Sequence, residues 1–142
     1  MFDFFDENPD HFKHVGLFRK SGKEETEIAI LNDLWKGNFD IIKEQTDAIS
    51  VASVIKKIIR NLGEPLCTYK HYEEFKCLGD EKTEGETMMK VNKILKKMHP
   101  VNRNTFKALL VFLGHVTMFS SENKMAENNL AIVFAPNIFK PF

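Results

Sequence analysis

Apolar residues recur three and four apart along much of the chain, most regularly at Val51, Val54, Ile55, Ile58, Ile59 and Leu62. That series follows i, i+3, i+4, i+7, i+8, i+11 and predicts a helix with one apolar stripe, from whose other faces Lys56, Lys57 and Arg60 emerge. Gly63-Glu64-Pro65 ends it. Upstream, Ser21-Gly22-Lys23-Glu24 reads as a capping box, and Ile28, Leu31, Leu34 and Trp35 then recur at helical spacing until Gly37. Glu24, Glu25 and Glu27 fall near the positive end of that helix. A shorter helical segment with Tyr72 and Phe75 on one face is expected over 68–78, followed by a polar loop over 79–86. Met88, Val91, Leu95 and Met98 mark another helix, stopped by Pro100. Residues 104–119 are apolar on most sides and are expected to form the central buried helix. A last helix fits between Lys124 and Phe134, with Met125, Leu130, Val133 and Phe134 as core and Pro136 as its terminator. No alternating strand pattern competes, so the expected class is all-α, in a single domain spanning 1–142.

Charge narrows the possible partners. The 142 residues carry 20 Lys+Arg and 20 Asp+Glu, a formal balance of zero that disfavours nucleic-acid binding. Thirteen Phe against one Trp and two Tyr is an aromatic set suited to filling volume, not to stacking a ligand. Cys67 and Cys77 are too few for a disulfide framework or a four-cysteine zinc site and favour a reducing, cytosolic setting. Met1 to Glu7 lacks the basic and apolar regions of a signal peptide, and the apolar run from Ala108 to Leu113 is far short of a membrane span, so no direct membrane insertion is expected.

Enzyme motifs fail on chemistry. In Gly16-Leu17-Phe18-Arg19-Lys20-Ser21-Gly22-Lys23-Glu24 the glycines are wrongly spaced for a phosphate-binding loop, Glu24 replaces the magnesium-holding Ser/Thr, and no strand precedes the turn. His11 and His14, beside Asp10, lack a third metal ligand and read as solvated loop residues. His71, His99 and His115 lie on separate elements with no nucleophile beside them. Lys93, Lys96 and Lys97, set among Ile94, Leu95 and Met98, read as a solvated face over a buried stripe.

Three other stretches are more specific. Gly16-Leu17-Phe18-Arg19-Lys20-Ser21-Gly22 resembles the G-[IL]-F-R-x-S-G segment of Rho GTPase-activating domains. Lys56-Lys57-Ile58-Ile59-Arg60-Asn61-Leu62-Gly63-Glu64-Pro65-Leu66 resembles that family's K-x-x-x-R-x-L-P-x-P-L element. The stretch from Asn123 to Asn137, read at Asn123-Lys124-Met125, Asn129-Leu130-Ala131, Phe134 and Pro136-Asn137, resembles N-K-M-x-x-x-N-L-A-x-x-F-x-P-N. The order is the family's, and the likeness covers about Gly16 to Asn137. Gly63 replaces a common proline, Ala135 a common glycine and Val15 a common acidic residue; none of these changes removes a charged functional group. The family has a fuller helix before the arginine loop and a further segment after Pro136-Asn137, so a domain shortened at both ends is expected.

The resemblance implies a helical domain that docks on a GTP-bound Rho-family small GTPase and accelerates GTP hydrolysis by that partner. It assigns Arg19 as the arginine finger, Lys56 and Arg60 to partner binding and support of the finger loop, and Asn129 to partner contact. Without the resemblance, Arg19 reads as a solvated or locally paired side chain, Lys56 and Arg60 as an ordinary charged face, and Asn129 as a surface amide or cap. No metal and no cofactor are expected of the domain itself, since GTP and Mg²⁺ belong to the partner. The alternative is a catalytically silent helical module that binds such GTPases. A cytoplasmic location is expected, with any membrane recruitment through the partner or flanking domains.

Overall fold

A computed structural model describes residues 1–80 and 83–141, and every regular element among them is helical. The α-helices are α1 (Asp3–Asp6), α2 (Glu24–Trp35), α3 (Ala48–Arg60), α4 (Tyr72–Lys76), α5 (Glu84–Lys97), α6 (Pro100–Met118), α7 (Ser120–Asn123) and α8 (Glu127–Ile138). Short 3₁₀ turns cover Pro9–Lys13, Asp40–Ile42, Tyr69–His71 and Cys77–Asp80. The all-α expectation is met.

Helix α3, not residues 104–119, is the one most fully enclosed. Ala48, Val51, Ala52 and Val54 are fully buried, as is Ser50, and the helix packs against both α2 and α8. Small residues on its remaining sides let those neighbours close in. Ile58 and Leu62, at the end of the apolar stripe, are partly exposed. In α6, Phe106, Leu109, Phe112 and Val116 are buried, while Leu110, Val111 and Met118 face outward. An all-round apolar helix needs neighbours on every side, and among the described residues α6 has them on one.

Several boundaries differ from expectation. Asp47 caps α3 by accepting from the Ile49 and Ser50 amides at 3.1 and 3.2 Å. Between the turn ending at Asp80 and the start of α5 at Glu84, the connection is far shorter than the expected loop over 79–86, part of which lies outside the described residues. Thr83 caps α5: its Oγ1 accepts from the Glu86 amide at 3.2 Å and donates to the Glu86 carboxylate at 3.1 Å. Pro100 opens α6 at a position where its missing amide costs nothing, instead of stopping α5, which ends at Lys97. Pro136 lies inside α8. The last turn persists beyond it because Ile138 is buried, Phe139 N–H donates to Ala135 O at 2.9 Å, and Asn137 Nδ2 donates to Val133 O at 2.8 Å.

The Phe-rich lead is part of the core. Phe4, Phe5 and Phe12 are buried, Phe2 stacks on Phe112 at 4.2 Å, and Phe12 stacks on Phe119 at 5.3 Å. His11 is not a solvated residue, since its ring stacks on Phe4 at 4.0 Å and its Nδ1 hydrogen-bonds Phe4 O at 2.9 Å. Lys93, Lys96 and Lys97 are exposed over buried Ile94, Leu95 and Met98, as expected. No helix among the described residues is long and apolar enough to cross a membrane.

Candidate functional site

The arginine-bearing loop lies between the Pro9–Lys13 turn and α2 and is built on Gly16. Its φ of +80° lies in the left-handed region, and a Cβ there would sit 2.9 Å from Lys20 Cγ, so only glycine fits without strain. Arg19 and Lys20 amides both donate back to Gly16 O, at 2.9 and 2.8 Å, curling the loop through one turn. Phe18 also has positive φ, +66°, a conformation that costs a bulky residue about 1–3 kcal/mol. Burial holds it there: the ring is wholly enclosed and meets Phe134 at 5.1 Å and Phe112 at 5.8 Å. With Phe18 driven inward, Arg19 projects outward, exposed, and among the described residues no group pairs with its guanidinium.

Lys56 meets that loop from α3. Its Nζ donates to Phe18 O at 2.8 Å across 38 positions of sequence, so it is a brace and not a member of a solvated face. Burial is the main cause that holds its ammonium below the ordinary lysine value. Glu27 opposes that shift, and Arg60 and Lys57 add to it. Arg60, one turn on, is exposed; no described residue pairs with its side chain, and its carbonyl accepts from Lys140 Nζ at 2.8 Å.

The far end of the loop is strapped to both helices. The proposed box of Ser21 and Glu24 is absent, since α2 starts at Glu24 with Lys23 as an N-cap that makes no side-chain bond. Instead, Glu27 reaches back from the next turn to accept from Gly22 N–H at 2.9 Å, and Ser50 Oγ accepts from Lys23 N–H at 2.9 Å while donating to Asp47 Oδ2 at 2.9 Å. A Cβ on Gly22 would fall 2.4 Å from Ser50 Cα, so the two helix starts touch only because glycine stands there. Glu27 is buried and ion-paired to Lys57. Burial pushes its carboxyl up, but the hydrogen bonds from Lys57 and Ser53, the Lys57 charge and the Gly22 amide together bring it below the ordinary value of 4.5.

A pH dependence follows. A carboxyl whose folded value is depressed contributes stability that is full above its unfolded value and is lost as pH falls through the folded one. Glu27→Gln is expected to cost roughly 1–3 kcal/mol at pH 7 and to flatten the decline in stability below about pH 4.5. Urea unfolding across pH 3–7 measures both. An unchanged acid limb would assign that decline to other carboxylates.

The asparagine-rich segment closes the base of the loop. Asn123 is fully buried; its Nδ2 donates to Phe12 O and Val116 O, both at 2.9 Å, its Oδ1 accepts from Met125 N–H at 2.7 Å, and its carbonyl accepts from Gly16 N–H at 2.8 Å. Lys124 then turns left-handed at φ +61°, and Asn129 Nδ2 donates to Lys124 O at 3.0 Å. The structure therefore joins Arg19 to Lys56 through Phe18, places Arg60 one turn from Lys56, and leaves Asn129 serving the α7–α8 junction. Phe18, Glu27 and Asn123 organise the loop without having been singled out for it; Phe18 and Asn123 lie inside the quoted motifs, and Glu27 carries no such signal. No cluster of three or more His, Cys, Asp or Glu among the described residues could hold a metal, and the two cysteines are unbridged.

Comparison with known proteins identifies the family. The RhoGAP domain family model matches residues 6–142, so the chain belongs to the RhoGAP domain family. Rho GTPase-activating protein 24 of Homo sapiens is 37% identical over 137 residues, covering 91% of this chain and 18% of that protein. Rho GTPase-activating protein gacJJ of Dictyostelium discoideum is 30% identical over 131 residues, covering 89% of this chain and 14% of that protein. The chain thus spans under a fifth of the length of these relatives. In fold it is similar to human Rho GTPase activating protein 15, with TM-score 0.79, 24% identity, and coverage of 97% of this chain and 65% of that one. The BH domain from GRAF, the GTPase regulator associated with focal adhesion kinase, gives TM-score 0.82 at 18% identity, covering 99% of this chain and 76% of that one.

Proposed function

We propose that this domain activates a Rho-family small GTPase by inserting Arg19 into the partner's active site. The observation that carries this reading is the state of Arg19 itself: exposed, unpaired among the described residues, and displayed by a strained residue whose carbonyl Lys56 grips. A surface arginine with only a structural role has no need of such a mount. Phosphoryl transfer to water develops negative charge on the phosphoryl and leaving-group oxygens, and a guanidinium offers forked donors while keeping its charge when desolvated. The domain contributes neither nucleotide nor metal; GTP and Mg²⁺ come with the partner, and the domain alone does not hydrolyse GTP. Binding favours the GTP-bound form, whose switch segments the γ-phosphate orders. Arg60 and Asn129 contact the partner, while Lys56 holds the loop.

Single-turnover GTP hydrolysis with a panel of GTP-loaded Rho-family proteins tests the reading. Acceleration of at least one is expected; tight binding without acceleration of any would make the domain a silent module. Lys56 and Arg60 separate by role. Lys56→Ala leaves Phe18 O without its donor and is expected to lower the saturating rate severalfold, whereas Arg60→Ala raises the domain concentration needed for half-maximal rate, an effect weakened by added salt. Neither should move the thermal unfolding midpoint by more than a few degrees. Identical kinetic profiles for the two variants would refute the division.

A further inference from the structure

Trp35, the chain's only tryptophan, is 87% exposed at the end of α2, although its spacing predicted a place on a buried stripe. The face that is buried instead is that of Glu27 and Ile30, because Glu27 must reach Gly22 and Lys57. This rotation leaves Leu31, Leu34 and Trp35 opposite Lys57, Ile58 and Leu62, lining an open cleft of about 330 Å³ between α2 and α3.

The two helices run parallel. Lys23, the N-cap of α2, meets Ser50 in the first turn of α3, Glu27 in the first turn of α2 pairs with Lys57 in the last turn of α3, and Trp35 and Leu62 beyond them line the same cleft. The cleft is therefore continuous with the arginine loop along the same pair of helices, and Lys57 belongs both to the cleft wall and to the strap that holds Gly22. Lys57 is the one charged residue lining the cleft, and its ammonium is ion-paired with Glu27. An apolar cleft with a large exposed aromatic wall, continuous with the arginine loop, fits an apolar side chain of whatever the loop docks on.

We infer that the α2–α3 cleft around Trp35 is an extension of the GTPase-docking surface, taking an apolar side chain of the GTP-bound partner. The inference rests on the GTPase-activating reading above.

The single tryptophan supplies the probe. The full chain carrying 5-fluorotryptophan is titrated with unlabelled partner bearing a GTP analogue and followed by fluorine NMR with a soluble paramagnet. The Trp35 resonance is expected to shift and to become protected. Trp35→Ala is expected to raise the half-maximal concentration roughly tenfold or more, with the saturating rate unchanged. Leu62→Gln on the opposite wall should shift it in the same direction, and thermal unfolding checks that both variants fold. A Trp35 as exposed in an accelerating complex as in the free domain would overturn the inference while leaving the activator function standing. So would a dimer, seen in sedimentation, that Trp35→Ala abolishes without altering the half-maximal concentration, since it would assign the cleft to a second copy. Absence of acceleration by the unmodified chain with every panel member would remove the activator reading, and the cleft assignment with it.

Discussion

Arg19→Ala is expected to slow single-turnover GTP hydrolysis in the complex by about 10³–10⁵-fold, equivalent to roughly 4–7 kcal/mol of barrier. The loss should fall on the saturating rate, because the charge that the guanidinium meets develops only in the transition state. Affinity for the GTP-bound partner should change far less, since the contacts proposed for Arg60 and Asn129 remain. Stability should not change, because the loop is held by Phe18, Gly16 and Gly22 and not by the exposed Arg19 side chain. Arg19→Lys is expected to fail nearly as badly: an ammonium is a point charge and cannot span two oxygens as a fork does. Rapid-quench kinetics and circular dichroism check both halves. A lysine variant with full activity would mean that charge alone suffices, and an alanine variant with full activity would remove Arg19 from the mechanism.

Helix α3 is legible because its apolar spacing is regular over three turns and Gly63-Glu64-Pro65 marks its end. Where the spacing was read too literally, a tertiary contact had overridden it. Ile28, Leu31, Leu34 and Trp35 share a face by period, but a buried carboxylate that bonds the loop before α2 turns the helix so that Leu31 and Leu34 stay half-buried against the core while Ile28 and Trp35 are exposed, a demand that period cannot express. Ser21 and Glu24 satisfy a pattern that the backbone does not use, whereas Thr83 is an N-cap that the polar run over 79–86 conceals. The missing amide of Pro136 predicts a stop, and burial of Ile138 outweighs the loss.

For the candidate site, motif order points to Arg19, Lys56, Arg60 and Asn129 as positions and does not report how they connect. The Lys56 bond to Phe18 O joins positions 38 apart, and the left-handed turn at Phe18 is paid for by rings contributed from α6 and α8. Neither can be read from spacing within one segment. Asn123 stood in a quoted motif as its first letter, yet its role depends on carbonyls from Phe12 and Val116 that only the fold brings together.

Asn123→Ala is expected to be the most destabilising of these substitutions, by roughly 3–5 kcal/mol. Alanine keeps the backbone carbonyl that receives Gly16 N–H but deletes both donors and the acceptor of a fully buried amide. Val116 O still accepts from Phe119 N–H at 3.2 Å, so its loss is partial. Phe12 O and Met125 N–H lose their amide partner in a site closed to water, and each such group costs about 1–3 kcal/mol. Asn123→Asp should do no better at pH 7: it retains an acceptor for Met125 but turns a carboxylate toward two carbonyls that need donors. Asn129→Ala, which removes one bond to Lys124 O at a partly exposed position, should cost no more than about 1 kcal/mol. Urea titrations of the three variants separate these magnitudes. The activity of Asn123→Ala, measured well below its unfolding midpoint, should also fall, because the Phe12 and α7 contacts that set the base of the Gly16 turn are loosened together. Equal stability losses at positions 123 and 129 would show that the buried amide network is not what anchors the loop.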